Sequence, residues 1–156
     1  METTQTMQQP PAGEGAAGDD ERRIRQRIAD WADAVRAKDV DRVMAHYAPD
    51  VVVFDVLPPL SDRGADAYRR HWEGWFASVA GPIGFEMHDL HVEVEGSLAC
   101  CRAVNRVRTR PAHGGGEASD GWTRATACLR RIRGEWLVTH EHVSVPMAMP
   151  ASPGAE

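Results

Sequence analysis

Apolar side chains recur at helical spacing in three segments near the start of the chain. The first is preceded by its predicted cap, Asp19-Asp20, and contains Ile24, Ile28, Trp31 and Val35. The second is short, follows the predicted cap Asp39, and contains Val40, Val43, Met44 and Tyr47. The third runs from about 65 to 79, is ended by Ala80-Gly81-Pro82, and contains Tyr68, Trp72, Phe76 and Val79. The chain is therefore predicted to begin with three helices.

The remaining pattern is typical of strands. Residues 51–56 (VVVFDV) form a short β-branched strand, and the paired prolines of the following LPPLSDRG predict a loop without regular structure. Longer strands are predicted over 85–95, 98–110, 122–133 and 136–145. Short turns join them, which predicts an antiparallel meander. Helices followed by such a meander indicate an α+β fold with a mainly antiparallel sheet.

The two ends of the chain lack this periodicity. Residues 1–18 are polar and rich in Gly, Pro and Gln, which predicts a disordered tail, and 147–156 resemble a shorter flexible tail. Residues 19–146 are then the folded domain. A length of 156 residues with 42% hydrophobic residues fits one domain with a substantial core.

The net charge and the positions of the cysteines argue against several classes of function. The net charge of −5 gives no support for nucleic-acid binding, and the sequence has no apolar run long enough to span a membrane. The adjacent Cys100 and Cys101 point to opposite faces of a strand, so they form neither a CxxC pair nor a zinc knuckle. With Cys128, we expect buried thiols in a reducing compartment, and a cytoplasmic protein.

Three segments carry a resemblance to a known family: YAPDVVVFDV, RGADAYRRHWEGWF and WTRATACLRRIRGEWLVTHEHVSVP. Over about 21–146 the chain resembles the nuclear transport factor 2-like superfamily, in its SnoaL-like, ketosteroid isomerase-like branch. The resemblance implies a cystatin-like architecture, in which a strongly curved mixed sheet wraps the helices into a cone with a pocket at its open end. It also implies a homodimer through the outer sheet face. The reaction stays open, because this fold includes isomerases, polyketide cyclase-like enzymes, hydrolases, dehydratases and non-enzymes.

Asp55 is the first candidate for chemistry. It shares strand parity with Val51 and Val53, so a carboxylate ends an otherwise apolar face. The same position carries the general base in the ketosteroid isomerases that the chain resembles. A carboxylate in an apolar pocket can transfer protons beside a carbonyl group, so we predict a catalytic role. The alternative is a turn residue that binds the amides of the following loop.

The segment WLVTHEHVSVP places two histidines and a serine at alternate positions. His140, His142 and Ser144 share the parity of Trp136 and Val138, so we expect them on the inner face opposite Asp55. Three roles compete: acid–base histidines working with Asp55, an HxH metal site short of further ligands, and a core histidine bonded to a neighbour. We predict catalytic His140 and His142 and no metal.

Other polar and aromatic residues are predicted to line the pocket. Trp31 falls where the isomerases have a catalytic tyrosine, while their late carboxylic acid falls near Ala127 or Cys128, so steroid isomerisation by that apparatus is not expected. Arg124 and Thr126 share one strand face, and Asn105 is polar in an apolar row. The predicted substrate-binding set is Trp31, Tyr47, Trp72, Trp75, Asn105, Arg124, Thr126 and Ser144.

Three functional hypotheses follow. The first is a cofactor-independent enzyme that transfers protons, as an isomerase or cyclase does, on a carbonyl-bearing and mostly apolar substrate. The second is a non-catalytic protein that binds a small molecule or a partner. The third is carbon dioxide hydration, since the HxHxS ending resembles that of iota-class carbonic anhydrases and the required residue types are present in Tyr47, Thr126, His142 and Ser144.

Overall fold

The computed structural model of the chain describes residues 12–113 and 116–148. Its helices are α1 (Ala12–Arg36), α2 (Val40–Met44) and α3 (Ala65–Ser78). Its strands are β1 (Tyr47–Phe54), β2 (Asp62–Arg63), β3 (Val79–Glu95), β4 (Leu98–Pro111), β5 (Ser119–Ile132) and β6 (Glu135–Ser144). The predicted tails lie outside the described residues over 1–11 and 149–156. No described helix has the length and apolar character needed to cross a membrane.

The strands form one six-stranded sheet in the order β2-β1-β6-β5-β4-β3. β1 runs parallel to β6, and every other neighbouring pair is antiparallel. β3 carries two register shifts against β4, and such irregularities bend a strand. The predicted α+β class with a mixed, mainly antiparallel sheet is confirmed.

The core lies between the helices and the inner face of the sheet. Its larger part joins all three helices to β1 and β3 and includes Val35, Val43, Val51, Val53 and Tyr68. A smaller part packs α1 onto β4, β5 and β6 through Ile24, Ala99, Cys101, Leu129 and Trp136. Because alternate residues of a strand face opposite sides, this core fixes which side chains face inward.

Helix α1 begins earlier than the sequence predicted. It starts at Ala12, so the predicted tail over 12–18 and the predicted cap at Asp19-Asp20 are wrong. Asp20 lies inside the helix and is 6% exposed, where it accepts hydrogen bonds from Trp136 Nε1 at 3.1 Å and from the Arg131 guanidinium at 3.0 Å. The Asp20 side chain, which was predicted to cap the helix, therefore binds residues of β5 and β6 instead.

Three smaller predictions also need correction. Tyr47 begins β1 instead of continuing α2, whose predicted cap Asp39 is confirmed by its bond from the Arg42 amide at 3.0 Å. The LPPLSDRG loop contains the short strand β2, which pairs with β1. Ala80-Gly81-Pro82 lies within β3, because Val79 passes directly from α3 into the strand.

A β-bulge in β6 changes the direction of its side chains. Leu129 pairs with Val138 and Cys128 pairs with His140, so Thr139 is an extra residue opposite β5. The Thr139 hydroxyl donates to the Cys128 carbonyl at 3.2 Å. After the bulge, the residues that continue the inner face of Trp136 and Val138 are Glu141 and Val143.

The Asp20 contacts yield a stability prediction. Asp20→Ala leaves the buried Trp136 N–H unpaired, so we expect the free energy of unfolding to fall by about 1–3 kcal/mol. Urea denaturation followed by tryptophan fluorescence measures the change. Asp19→Ala is the matched control, because Asp19 forms an exposed ion pair with Arg22 and its loss should cost less than about 1 kcal/mol. Equal effects of the two substitutions would contradict the assignment.

Candidate functional site

A cavity of roughly 370 Å³ lies between the helices α1 and α3 and the sheet. Its aromatic wall comes from α1, α3 and β3, through Trp31, Trp72, Trp75 and Phe85. Its inward-facing titratable and amide groups come from the end of β1, from α3 and from β4 and β6: Asp55, Tyr68, His71, Asn105 and Glu141. The exposed Asp120 of β5 also lines the cavity and is paired with Arg106. Such a mostly apolar concavity with a few convergent polar groups is typical of a small-molecule site.

Asp55 is held at the cavity by two residues of α3. Tyr68 Oη donates to Asp55 Oδ2 at 3.2 Å, and His71 Nε2 lies 3.9 Å from Asp55 Oδ1. The other ring nitrogen, His71 Nδ1, lies 3.0 Å from Oδ2 of the buried Asp62, which accepts its proton. Asp62 therefore orients the ring, and Nε2 of His71 faces Asp55 at the cavity.

Glu141 is the second carboxyl group of the cavity. It is 7% exposed, and Tyr47 Oη donates to its Oε2 at 2.8 Å. The rings of Tyr47 and Tyr68 pack edge to face with centroids 5.1 Å apart. Two adjoining tyrosines thus each donate a hydrogen bond to one carboxyl group, Tyr47 to Glu141 and Tyr68 to Asp55.

Burial gives Glu141 an unusual protonation behaviour. It raises the pKa of Glu141 to about 7, the Asp55 charge acts in the same direction, and hydrogen bonds from Tyr47 and Tyr68 oppose the rise. Burial also raises the pKa of both tyrosines well above the usual value, so both stay protonated donors. Near neutral pH the cavity therefore holds a carboxyl group that can donate a proton as well as accept one.

Unpaired polar atoms lie in the aromatic wall of the cavity. Trp72 Nε1, Trp31 Nε1 and Asn105 Oδ1 are buried without a hydrogen-bond partner among the described residues. Trp31 packs edge to face on both Trp72 and Phe85, with centroids 5.9 and 5.4 Å apart. Buried polar groups are usually paired, so these atoms are available to polar groups of a bound molecule or to water.

A second, narrower cavity of about 70 Å³ lies between α1 and the sheet. It shares Trp31, Asn105, Ala125 and Glu141 with the larger cavity, so these residues separate the two spaces. Tyr47 lines only the narrow one. Its walls are otherwise mainly apolar.

Six of the predicted site residues lie at this inner site. Asp55, Trp31, Trp72, Trp75 and Asn105 line the larger cavity, and Tyr47 binds Glu141 beside it.

The other five predicted residues lie on the outer face of the sheet, so the predicted inward placement of His140, His142 and Ser144 is wrong. The bulge at Thr139 is the cause, because it reverses the parity that Trp136 and Val138 establish. His140 Nδ1 donates to the Val52 carbonyl at 2.8 Å, and Phe54 packs on both histidine rings. Opposite them on β5, the outer residues are Arg124 and Thr126.

This placement also separates the four residues on which the hypothesis of carbon dioxide hydration rested. Thr126, His142 and Ser144 lie outside while Tyr47 lies inside, so they do not share a cavity. Among the described residues, no group of three His, Cys, Asp or Glu side chains is arranged to hold a metal ion.

The sequence interpretation missed three residues of the site. Tyr68 was predicted only as part of the apolar spacing of the third helix, and neither His71 nor Glu141 was named as a candidate. The spacing of Tyr68 and His71 on α3 did contain a usable signal, because residues three apart share a helix face. For Glu141 the signal was weaker, since a bulge is not visible in the order of residues.

A helical layer on a mixed sheet, with two inward-facing carboxyl groups and a histidine on an apolar cavity, defines an α+β protein with a candidate small-molecule site. Residues 24–148 match the SnoaL-like domain family, and the chain belongs to that family. The comparison with curated proteins gave no match.

Solved structures share the fold. An NTF2-like protein of unknown function from Pseudomonas putida KT2440 is 36% identical, with 92% of this chain and 95% of that chain covered and a TM-score of 0.74. A protein from Novosphingobium aromaticivorans, provisionally named a scytalone dehydratase, is 15% identical, with coverages of 91% and 99% and a TM-score of 0.77. A ketosteroid isomerase-like protein from Erwinia carotovora atroseptica is 18% identical, with coverages of 81% and 96% and a TM-score of 0.70.

The raised pKa of Glu141 predicts a dependence of stability on pH. Between the ordinary value of 4.5 and the folded value of about 7, the unfolded chain releases a proton that the folded chain retains. The contribution of Glu141 is therefore fully present below pH 4.5 and is lost as the pH rises through about 7. Glu141→Gln removes this term, so the stability difference between wild type and variant should change by about 3 kcal/mol across the window.

Chemical denaturation at several pH values measures this difference. The exposed Glu135→Gln on the same strand is the control for removing a carboxyl group. A difference between wild type and Glu141→Gln that stays constant with pH would refute the assignment.

Proposed function

We propose that the chain is an enzyme that moves protons on a mostly apolar, carbonyl-bearing small molecule, using its own side chains as acid and base. The observation that carries the proposal is the pairing on one cavity of Asp55, which faces His71, with Glu141, whose pKa of about 7 suits proton donation. Pairs of titratable groups in different environments are typical of acid–base sites.

The base in this scheme is Asp55, with His71 beside it. Asp55 removes a proton from the carbon beside the substrate carbonyl and passes it to His71 Nε2, and Asp62 on Nδ1 stabilises the charge that His71 then gains. Tyr68 keeps the Asp55 carboxylate oriented by its hydrogen bond at 3.2 Å.

The acid is Glu141 with its tyrosine partner. Glu141 donates to the substrate oxygen on which negative charge develops, or to a hydroxyl group that leaves from the β carbon. Returning the proton to a different carbon gives isomerisation, and loss of the hydroxyl gives dehydration. Both reactions need the same two groups, a base at the carbon and an acid at the oxygen.

The shape and lining of the site favour a ring-containing substrate. The wall of Trp31, Trp72, Trp75 and Phe85 offers flat apolar surfaces and ring edges, which suit aromatic or alicyclic rings. The structural neighbours described as a scytalone dehydratase and as ketosteroid isomerase-like give this class of reaction a precedent in the fold.

Non-catalytic ligand binding is the second candidate. It is favoured by the hydrogen bonds that already satisfy the carboxyl groups, Tyr68 on Asp55 and Tyr47 on Glu141. A binding protein would hold the same molecules without exchanging their α hydrogens, so one experiment separates the two candidates.

Exchange of α hydrogens for deuterium in D2O, followed by NMR on a panel of cyclic and aryl ketones, tests the proposal without knowledge of the product. We expect exchange above the buffer rate for ring ketones that fit the cavity. Asp55→Asn should reduce the enzymatic rate by about 10²–10⁴-fold, because the general base is lost.

His142→Gln on the outer face is the matched control and should leave the rate unchanged, while circular dichroism verifies that both variants fold. Binding of the ketones without exchange would favour the second candidate. Exchange that is equally fast in Asp55→Asn would overturn the assignment of the base.

A further inference from the structure

The outer face of the sheet carries a second group of reactive side chains, on the side away from the cavity. Cys100 of β4 is the direct partner of Cys128 of β5, and Cys128 is the direct partner of His140 of β6. Both thiols are exposed and free, so the prediction of buried thiols is wrong for these two cysteines and holds only for Cys101. We call these three residues the outer-face row.

The hydrogen bonds of the β4–β5 ladder determine how close the two thiols lie. The Arg131 amide donates to the Ser97 carbonyl at 2.9 Å, so these two residues form a hydrogen-bonded pair. Pair types alternate along an antiparallel ladder, which makes Cys100–Cys128 a non-hydrogen-bonded pair. At such pairs the Cα atoms lie about 4.5 Å apart and the side chains approach most closely. A disulfide spans Cα distances of about 4.4–6.8 Å, so the Cα spacing of this pair lies at the short end of that range.

His140 is the direct partner of Cys128 on β6. Its Nδ1 donates to the Val52 carbonyl at 2.8 Å, and its Nε2 has no hydrogen-bond partner among the described residues. The charged or titratable groups that share this face and border the row come from four strands: Glu93 of β3, Arg102 of β4, Arg130 of β5 and His142 of β6. Glu93 and Arg102 pair with each other at 2.9 Å.

Cys101 supplies a contrast within the same strand. It points inward and is 4% exposed, and burial raises its pKa to about 12. A buried thiol that does not ionise is a poor nucleophile. The neighbouring cysteines Cys100 and Cys101 therefore differ in access to reagents, and Cys101 serves as an internal control.

We propose that Cys100 and Cys128 form a reversible dithiol–disulfide site that exchanges with low-molecular-weight disulfides such as oxidised glutathione. His140 Nε2 takes the Cys128 proton, and the thiolate attacks one sulfur of the small disulfide, which releases one glutathione. The Cys100 thiolate then attacks the Cys128 sulfur and releases the second glutathione. Two electrons pass from the cysteine pair to the small disulfide, and the two thiol protons end on the two glutathione molecules.

The bond crosslinks β4 to β5 directly beside Cys101 and Ala127, which line the narrow cavity. Closing the chain between Cys100 and Cys128 restricts the unfolded state, so the oxidised protein should have a higher Tm than the reduced one. The proposal is independent of the proposed activity, because none of the three residues lines the larger cavity.

Mass spectrometry of the full chain after incubation with oxidised glutathione tests the proposal. The intact chain should lose the mass of two hydrogen atoms and gain no glutathione, and its digest should contain linked peptides of Cys100 and Cys128. N-ethylmaleimide should label Cys101 only after unfolding. Cys101→Ala should retain the same crosslink, which excludes its neighbour as the bonded sulfur.

Substitutions in the row separate the two steps. Cys100→Ser should stop at a glutathione adduct on Cys128, and Cys128→Ser should give only a slow adduct on Cys100. His140→Gln should slow the first step several-fold without changing the product, and an unchanged rate would overturn its role as the base. Stable glutathione adducts in the wild-type chain, disulfides between chains, or unreactive thiols in the folded protein would each overturn the proposal.

The homodimer predicted through the outer sheet face bears on the same residues. It stays a prediction, and a dimer that buried the outer-face row would block the exchange. Sedimentation of the same samples establishes whether chains associate when the thiols react. Unreactive thiols in a stable dimer count against the proposal.

Discussion

The single extra residue in β6 decides the chemistry of both faces of the sheet. A strand alternates its side chains strictly, so the apolar pair Trp136 and Val138 would otherwise fix the inner face to the end of the strand. The bulge at Thr139 breaks that alternation and is held by the bond from the Thr139 hydroxyl to the Cys128 carbonyl. Glu141 is thereby placed in the cavity, and His140 and His142 are placed outside.

Once Glu141 is inside, two carboxyl groups share one apolar cavity. Charged groups in such surroundings are unfavourable unless they are hydrogen-bonded or neutral. The structure uses both solutions: Tyr68 and His71 face Asp55, and Glu141 is bonded by Tyr47 while its pKa rises toward neutrality. Each tyrosine keeps its proton because burial disfavours its ionised form. The difference between the two carboxyl groups is thus a property of their surroundings.

The fold could be predicted from the sequence because its signals are local and repeated. Helical spacing in α3 and strand alternation in the meander each persist over several turns or pairs, so single exceptions do not hide them. The alternation pattern failed as a guide in β6, because one inserted residue reverses which face of the sheet every later side chain points to. Asp20 was misread for a related reason: its partners Trp136 and Arg131 are far along the chain, and only the folded structure brings them together.

At the cavity, residues that follow an unbroken pattern lie where that pattern places them. Asp55 continues the parity of Val51 and Val53, and the tryptophans of α3 follow its helical repeat. His71 could not be assigned a role from its position alone, because its function depends on Asp62 and Asp55, which come from either side of a loop. Candidate chemistry that depends on three separate segments meeting is visible only once the topology is known.

The loop between Asp55 and Asp62 lies beside both the cavity and His71. Residues 56–60 lie between Asp55 and Asp62, and the same imidazole of His71 faces a carboxylate at each end. Val56 and Leu57 line the cavity, and Leu60 is 96% exposed at the surface. Because both carboxylates beside His71 flank this segment, a change in its position would also change the surroundings of the imidazole.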